Sequence, residues 1–178
     1  MIAVQTKSLI KSYKTSHGYE TMALNRLDMT VESGEFIGIM GPSGSGKTTL
    51  LNLIGTLDTS TSGNIVIDDQ DITQLSRDEL VKFRRDKLGF IFQDFNLLDS
   101  LTVQENIIFP LLISDSAKTP ATEKVREIAT TLGIHDILEK YPYQVSGGQK
   151  QRTAVARAIV KGPSLILADE PSGNLDYN

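Results

Sequence analysis

"FIGIMGPSGSGKTTLLNLIGTL", residues 36–57, is the stretch on which the architecture turns. "FIGIM" (36–40) is a compact apolar run with β-branched content, and beyond the loop that follows it Leu50, Leu53, Ile54 and Leu57 recur at helical spacing. The order is strand, glycine loop, helix. Between strand and helix, Gly41 to Thr48, GPSGSGKT, fills the pattern G-x-x-x-x-G-K-[ST] completely. Gly41, Gly44 and Gly46 let backbone N–H groups curl around phosphate oxygens without a Cβ in the way, and the helix N-terminus adds its dipole. Lys47 is placed to reach the β and γ phosphates of a nucleotide, and the Thr48 hydroxyl to ligate Mg²⁺; Ser43, Ser45 and Thr49 complete the candidate loop. The pattern names a nucleotide and not a task.

The whole chain sets the frame. Its 178 residues, 39% hydrophobic, fit one domain with room for an inserted subdomain. A formal net charge of −4 supplies no basic field for phosphate backbones, so no direct nucleic-acid binding is expected. There is no cysteine, which excludes disulfides and thiolate zinc sites. The N-terminus lacks a long apolar run, and no stretch approaches the roughly 18 to 20 consecutive apolar residues of a membrane span. A soluble, cytoplasmic protein is the expectation.

Upstream of the loop, "AVQTKSLIKSYK" and "ALNRLDMTVESGEF" read as antiparallel strands with polar turns. Downstream, "TSTSG" reads as a turn, "NIVID" as a strand, and "SRDELVKFRRDK" as a helix opened by the capping pair Ser76 and Glu79. "LGFIFQ" is a further strand. From about residue 94 to 143 the pattern is helical, clearest in "PATEKVREIATTLGI", with Pro120 at its start, Val125, Ile128, Ala129 and Leu132 on one face and Gly133 at its end. "SGGQKQRTAVARAIVKG" predicts another helix and "SLILAD" a fully buried strand. Strand and helix alternation predicts an α/β fold with a mainly parallel core sheet, an N-terminal antiparallel β subdomain and an inserted helical subdomain.

Asp169 and Glu170 close "SLILAD" and "E" as an acidic pair at a strand end. With a phosphate loop upstream, Asp169 is the candidate Mg²⁺ ligand and Glu170 the candidate general base on the attacking water. Ser146, Gly147, Gly148 and Gln149 open a helix with bare N–H groups that can grip a second phosphate, a role that two chains facing each other would satisfy. Taken alone, Ser-Gly-Gly serves equally as a flexible loop.

Together these pieces resemble an ATP-binding cassette (ABC) ATPase, the nucleotide-binding subunit of ABC transporters. The matching stretches are "GPSGSGKTT" as Walker A, Gln93 in "FIFQDF" as the Q-loop, "VSGGQ" as the signature, "LILADEP" as Walker B and "SGNLD" as the D-loop, in the family's order over nearly the whole chain. The resemblance implies ATP and Mg²⁺ as cofactors, ATP hydrolysis that energises a membrane transporter, and a single ABC ATPase domain over residues 1–178. It places Tyr13 where the family's aromatic stacks on adenine, Gln93 where a glutamine contacts Mg²⁺ or the attacking water, Lys47, Glu170 and Gln93 in catalysis, and Asp176 between coupled sites. It also implies a second ABC ATPase subunit, in a homodimer, and a position on the inner face of the membrane. "LGFIFQDFNLLDSLTVQENIIFPLL" and "LNLIGTLDTSTSG" resemble the subgroup serving permeases of the FtsX and MacB type, and "FNLLDSLT" its transporters for peptide antibiotics such as bacitracin. Phe95, Leu97, Leu98 and Phe109 are then candidates to receive a permease, or else subdomain core.

The sequence departs from the family in two places. Val145 replaces the usual leucine of the signature. The switch histidine that follows the D-loop has no counterpart: His17 lies in a polar N-terminal loop and His135 follows the subdomain helix. The resemblance therefore implies C-terminal truncation, with the last core strand or strands missing and an unpaired edge on "SLILAD".

Overall fold

A computed structural model describes residues 1–14, 18–113 and 121–171. It divides into two compact units, Met1–Arg84 and the residues from Arg85 onward.

The first unit is built on β1 (Ile2–Lys14) and β2 (Glu20–Glu32), which pair antiparallel as their alternation predicts. β3 (Ser62–Ile67) pairs antiparallel with the other edge of β1, and the short β4 (Gln70–Asp71) completes the order β2-β1-β3-β4. The buried side chains of this sheet include Val4, Leu9, Leu24, Ile65 and Ile67. α1 (Lys47–Ile54) buries Leu50, Leu53 and Ile54, the apolar stripe read from the sequence. α2 (Arg77–Lys87) starts at the predicted box: Ser76 N–H donates to Glu79 Oε2 at 2.8 Å and Glu79 N–H to Ser76 Oγ at 3.4 Å.

In the second unit β5 (Leu88–Ile91) pairs in parallel with β6 (Leu165–Ala168), Leu88 opposite Leu165 and Ile91 opposite Ala168. α5 (Gly147–Ile159) lies against β5, so close that a Cβ on Gly89 would stand 2.7 Å from the Ala158 carbonyl oxygen. α3 (Val103–Leu112) and α4 (Ala121–Thr131) share a core with α5 through Val103, Ile107, Val125, Ala129, Ala156 and Val160. Between residues 94 and 143 the described elements are all helical, and Ile128 and Leu132 join Val125 and Ala129 on the predicted face.

α3 opens on a capping box absent from the sequence reading: Thr102 N–H donates to Glu105 Oε2 at 2.7 Å, and Glu105 N–H to Thr102 Oγ1 at 3.2 Å. Thr102→Ala removes one half of that box and should cost about 1 kcal/mol, a fall of ~2–4 °C in Tm measured by calorimetry.

Two expectations are corrected. Residues 36–40 are not a strand: they belong to no ladder among the described residues, and Phe36 and Met40 are 100% and 93% exposed. An apolar β-branched run becomes a strand only when a neighbour takes up its N–H and C=O groups. β6 is not fully buried either. Its residues alternate between half-buried and exposed, Ile166 at 46%, because one of its two faces is left uncovered by the described residues; β5 pairs with one of its edges and no described strand with the other. The parallel core expected from the sequence is represented by this pair of strands. His17, Pro120 and Asp176 lie outside the described residues.

Candidate nucleotide site

In the first unit the phosphate loop leads directly into α1. Gly46 is the N-cap residue, held at φ +92°, and Gly44 is at +79°, conformations that glycine adopts without a Cβ penalty. A second constraint acts at Gly46: a Cβ there would sit 2.5 Å from the Ala23 carbonyl oxygen and 2.9 Å from Leu24 Cδ2 on β2. Gly46→Ala therefore has to push the loop off β2 while straining φ. We expect a loss of at least ~2 kcal/mol in urea denaturation, with weakened nucleotide binding. At Gly41 a Cβ would approach Ser45 Oγ to 2.9 Å.

Lys47 folds back over the loop, its ammonium donating to the carbonyls of Gly41 at 2.8 Å and Pro42 at 2.9 Å. Ser45 N–H closes a turn onto Pro42 O at 3.2 Å. Leu50 N–H is the first to bond within α1, to Gly46 O, so the N–H groups of Lys47, Thr48 and Thr49 are the helix's orphan donors. Ser43, Gly44 and Thr48 are exposed. The loop thus presents a cation, backbone donors and a hydroxyl together.

Tyr13 lies near the end of β1, 42% exposed. Its hydroxyl donates to Asp58 Oδ2 at 2.9 Å, and the Lys11 ammonium stands 4.7 Å from its ring centroid. Lys11, buried, donates to Asp58 Oδ1 and to Thr59 O, both at 2.7 Å. Burial pushes the Asp58 carboxyl up, but hydrogen bonds from Lys11, Thr59 N–H and Tyr13, with the Lys11 charge, outweigh it and hold the group below the ordinary aspartate range.

In the second unit Gln93, exposed, stands two residues beyond β5. Phe95 and Asn96 follow at φ +59° and +47°, and their carbonyls accept from the Arg157 guanidinium of α5 at 2.7 and 2.5 Å. Burial lowers the Arg157 pKa. Asp169 N–H donates to Ile91 O at 3.0 Å, which carries the β5–β6 ladder one residue further and sets Asp169 at the strand end. Glu170, exposed, has φ +43°, a left-handed conformation costly for a side chain with a Cβ and typical of strain at functional sites. Gln151 of α5 is buried; its Nε2 donates to Pro171 O, and its Oε1 has no hydrogen-bond partner among the described residues.

Ser146 caps α5 by a reciprocal box: Gln149 N–H donates to Ser146 Oγ at 3.3 Å and Ser146 N–H to Gln149 Oε1 at 2.9 Å. The Ser-Gly-Gly stretch is therefore an ordered helix start. Among the described residues a Cβ on Gly148 would meet nothing nearer than Arg152, at 3.8 Å. Packing among the described residues does not demand glycine there.

Sequence reasoning missed Lys11, Asp58, Asn106, Gln151 and Arg157. Asn106, 1% exposed on α3, accepts from Leu98 N–H and donates to the carbonyls of Leu98, Leu101 and Thr102, so it orders the segment that leads into the helix. A polar residue on the buried face of an apolar helix was the available signal.

A glycine loop capped by lysine at a helix start, and a strand that ends on paired carboxylates, define a P-loop nucleotide-binding protein. Residues 24–173 match the family model described as ABC transporter. The chain is 51% identical over 173 residues to the ABC transporter ATP-binding protein YxdL of Bacillus subtilis (strain 168), covering 97% of this chain and 66% of that protein. It is 49% identical over 176 residues to the bacitracin export ATP-binding protein BceA of Halalkalibacterium halodurans, covering 99% and 69%. The structure of the ATP-binding cassette MJ0796, a dimer in a post-hydrolysis state bound to ADP and Pi, superposes with a TM-score of 0.87 at 41% identity, covering 97% of this chain and 76% of that one. The chain belongs to the ABC transporter family and carries that family's ATPase cassette. It spans about two thirds of the length of the curated relatives it matches.

Proposed function

We propose that this cassette binds and hydrolyses Mg·ATP to drive a membrane permease of the FtsX or MacB type, from the inner face of the membrane, for antimicrobial-peptide, antibiotic or lipoprotein-type substrates. The carrying observation is the phosphate loop: Gly46 wedged against β2 with Lys47 and the orphan N–H groups of α1 at one point. The similarity to proteins named for bacitracin export and for macrolide export supports the substrate class. Among the described residues no helix is long and apolar enough to cross a membrane.

Gly41, Ser43, Gly44, Ser45, Gly46, Lys47, Thr48 and Thr49 hold the phosphates, and Tyr13 stacks on the adenine. The Thr48 hydroxyl, Asp169 and Gln93 are hard oxygen donors suited to Mg²⁺, which neutralises developing charge on the phosphates when bound. No cluster of three His, Cys, Asp or Glu side chains that could hold a metal ion occurs among the described residues. Lys47 stabilises the charge of the transferred group, and Glu170 takes the proton of the attacking water. Ser146, Gly147, Gly148 and Gln149 face the nucleotide of a second, identical copy, whose close approach would explain a glycine at 148 that packing among the described residues does not need. Residues from about 94 to 143 act as an inserted helical subdomain within one ABC domain, and Leu98 and Phe109, both exposed, belong to the surface that receives the permease.

Steady-state Mg·ATP turnover of the chain, with Lys47→Ala as background, tests this reading. Turnover above that background supports it. Binding of ATP with turnover equal to the background supports a second reading, a cassette that grips Mg·ATP without hydrolysing it.

A further inference from the structure

We propose that Lys11 and Asp58 are positioning residues for the nucleotide base: together they hold the Tyr13 ring in the orientation that stacks on it. The proposal rests on Tyr13 being the base platform and adds how that platform is built.

A tyrosine near a strand end has two free side-chain torsions, and stacking on a base freezes both. Here both are already constrained. The hydroxyl is tied to Asp58 Oδ2 at 2.9 Å, and one ring face is occupied by the Lys11 ammonium at 4.7 Å, an electrostatically favourable cation–π placement. Tyr13 as a residue is still 42% exposed, so surface remains for a planar ligand.

The anchors are themselves fixed. Lys11 is 8% exposed and spends its ammonium on Asp58 Oδ1 and Thr59 O, and Asp58 Oδ1 also accepts from Thr59 N–H at 2.7 Å. Asp58 N–H donates to Asn52 O of α1, the helix whose first residue is Lys47. Base platform and phosphate grip are thus linked through one short helix. Pre-ordering the ring removes part of the entropy cost of binding and so raises affinity for the base without touching the phosphates.

The discriminating measurement compares equilibrium binding of ATP and of inorganic tripolyphosphate to the chain and to Tyr13→Ala, Tyr13→Phe and Asp58→Asn, with folding checked by circular dichroism. Tyr13→Phe keeps the ring and removes only its tie to Asp58, so it leaves the fold least disturbed. The expected result is that Tyr13→Phe and Asp58→Asn weaken ATP about three- to tenfold while tripolyphosphate stays within about twofold. If Tyr13→Ala weakens ATP and Tyr13→Phe does not, the ring is the platform but the anchors are idle, and the proposal falls. Equal losses for both ligands in Asp58→Asn would make Asp58 a support of the phosphate loop instead and would likewise overturn it. If even Tyr13→Ala leaves ATP affinity unchanged, the assignment of Tyr13 to the base fails, and the proposal with it.

Discussion

Lys47→Ala is expected to lower Mg·ATP affinity by about 100-fold or more while leaving the fold intact. Lys47 stands at the first position of α1 with its ammonium over the Gly41 and Pro42 carbonyls, so the charge is already at the loop before any phosphate arrives. Charge-assisted hydrogen bonds contribute roughly 1.5–3 kcal/mol each, and two of them to phosphate oxygens account for a change of that size. The folded chain itself loses little. Gly41 and Pro42 are exposed, so water takes over the two carbonyls, and the change in unfolding free energy should stay below ~1 kcal/mol. Calorimetric titration with Mg·ATP reads the first number and thermal denaturation the second. Unchanged affinity in a folded variant would remove the phosphate-loop assignment altogether, whereas a large drop in Tm would show that the lysine serves the fold.

Glu170→Gln should separate binding from chemistry. The amide keeps the size and exposure of the side chain but cannot take a proton, so ATP affinity is retained while turnover falls by about 10²- to 10⁴-fold. With the nucleotide held unhydrolysed, an assembly of two copies should also persist longer. The backbone supplies a companion test. Because Glu170 sits at φ +43°, Glu170→Gly relieves a strained conformation, and stability should be unchanged or higher as activity disappears. That pairing, activity down and stability not down, is what strain held at a functional site predicts. Normal turnover in Glu170→Gln would exclude Glu170 as the base.

The phosphate loop and the acidic pair were legible because their chemistry is written in adjacent residues. The box at Ser76 belongs to the same class, its hydroxyl oxygen accepting from the backbone N–H three residues on. At Ser146 the structure also decides between two open alternatives, an ordered helix start over a flexible loop. The anchors of the site were not legible. Nothing near Tyr13 in the chain signals Asp58, 45 residues away, and Arg157 reaches Asn96 across 61 residues and Phe95 across 62.

By itself, then, the sequence determined the phosphate-loop motif, most of the strands and helices and the membership of a family, since each depends on residue type at short, fixed spacing. Tertiary structure alone decided which distant side chains hold Tyr13, the Phe95–Asn96 turn and the turn after Glu170. It also decided that, among the described residues, "FIGIM" joins no ladder and one face of "SLILAD" is uncovered. The reason is common to all of these. A cap or a glycine loop satisfies its own backbone groups locally, whereas a strand or a buried cation is completed only by a partner that the fold brings to it.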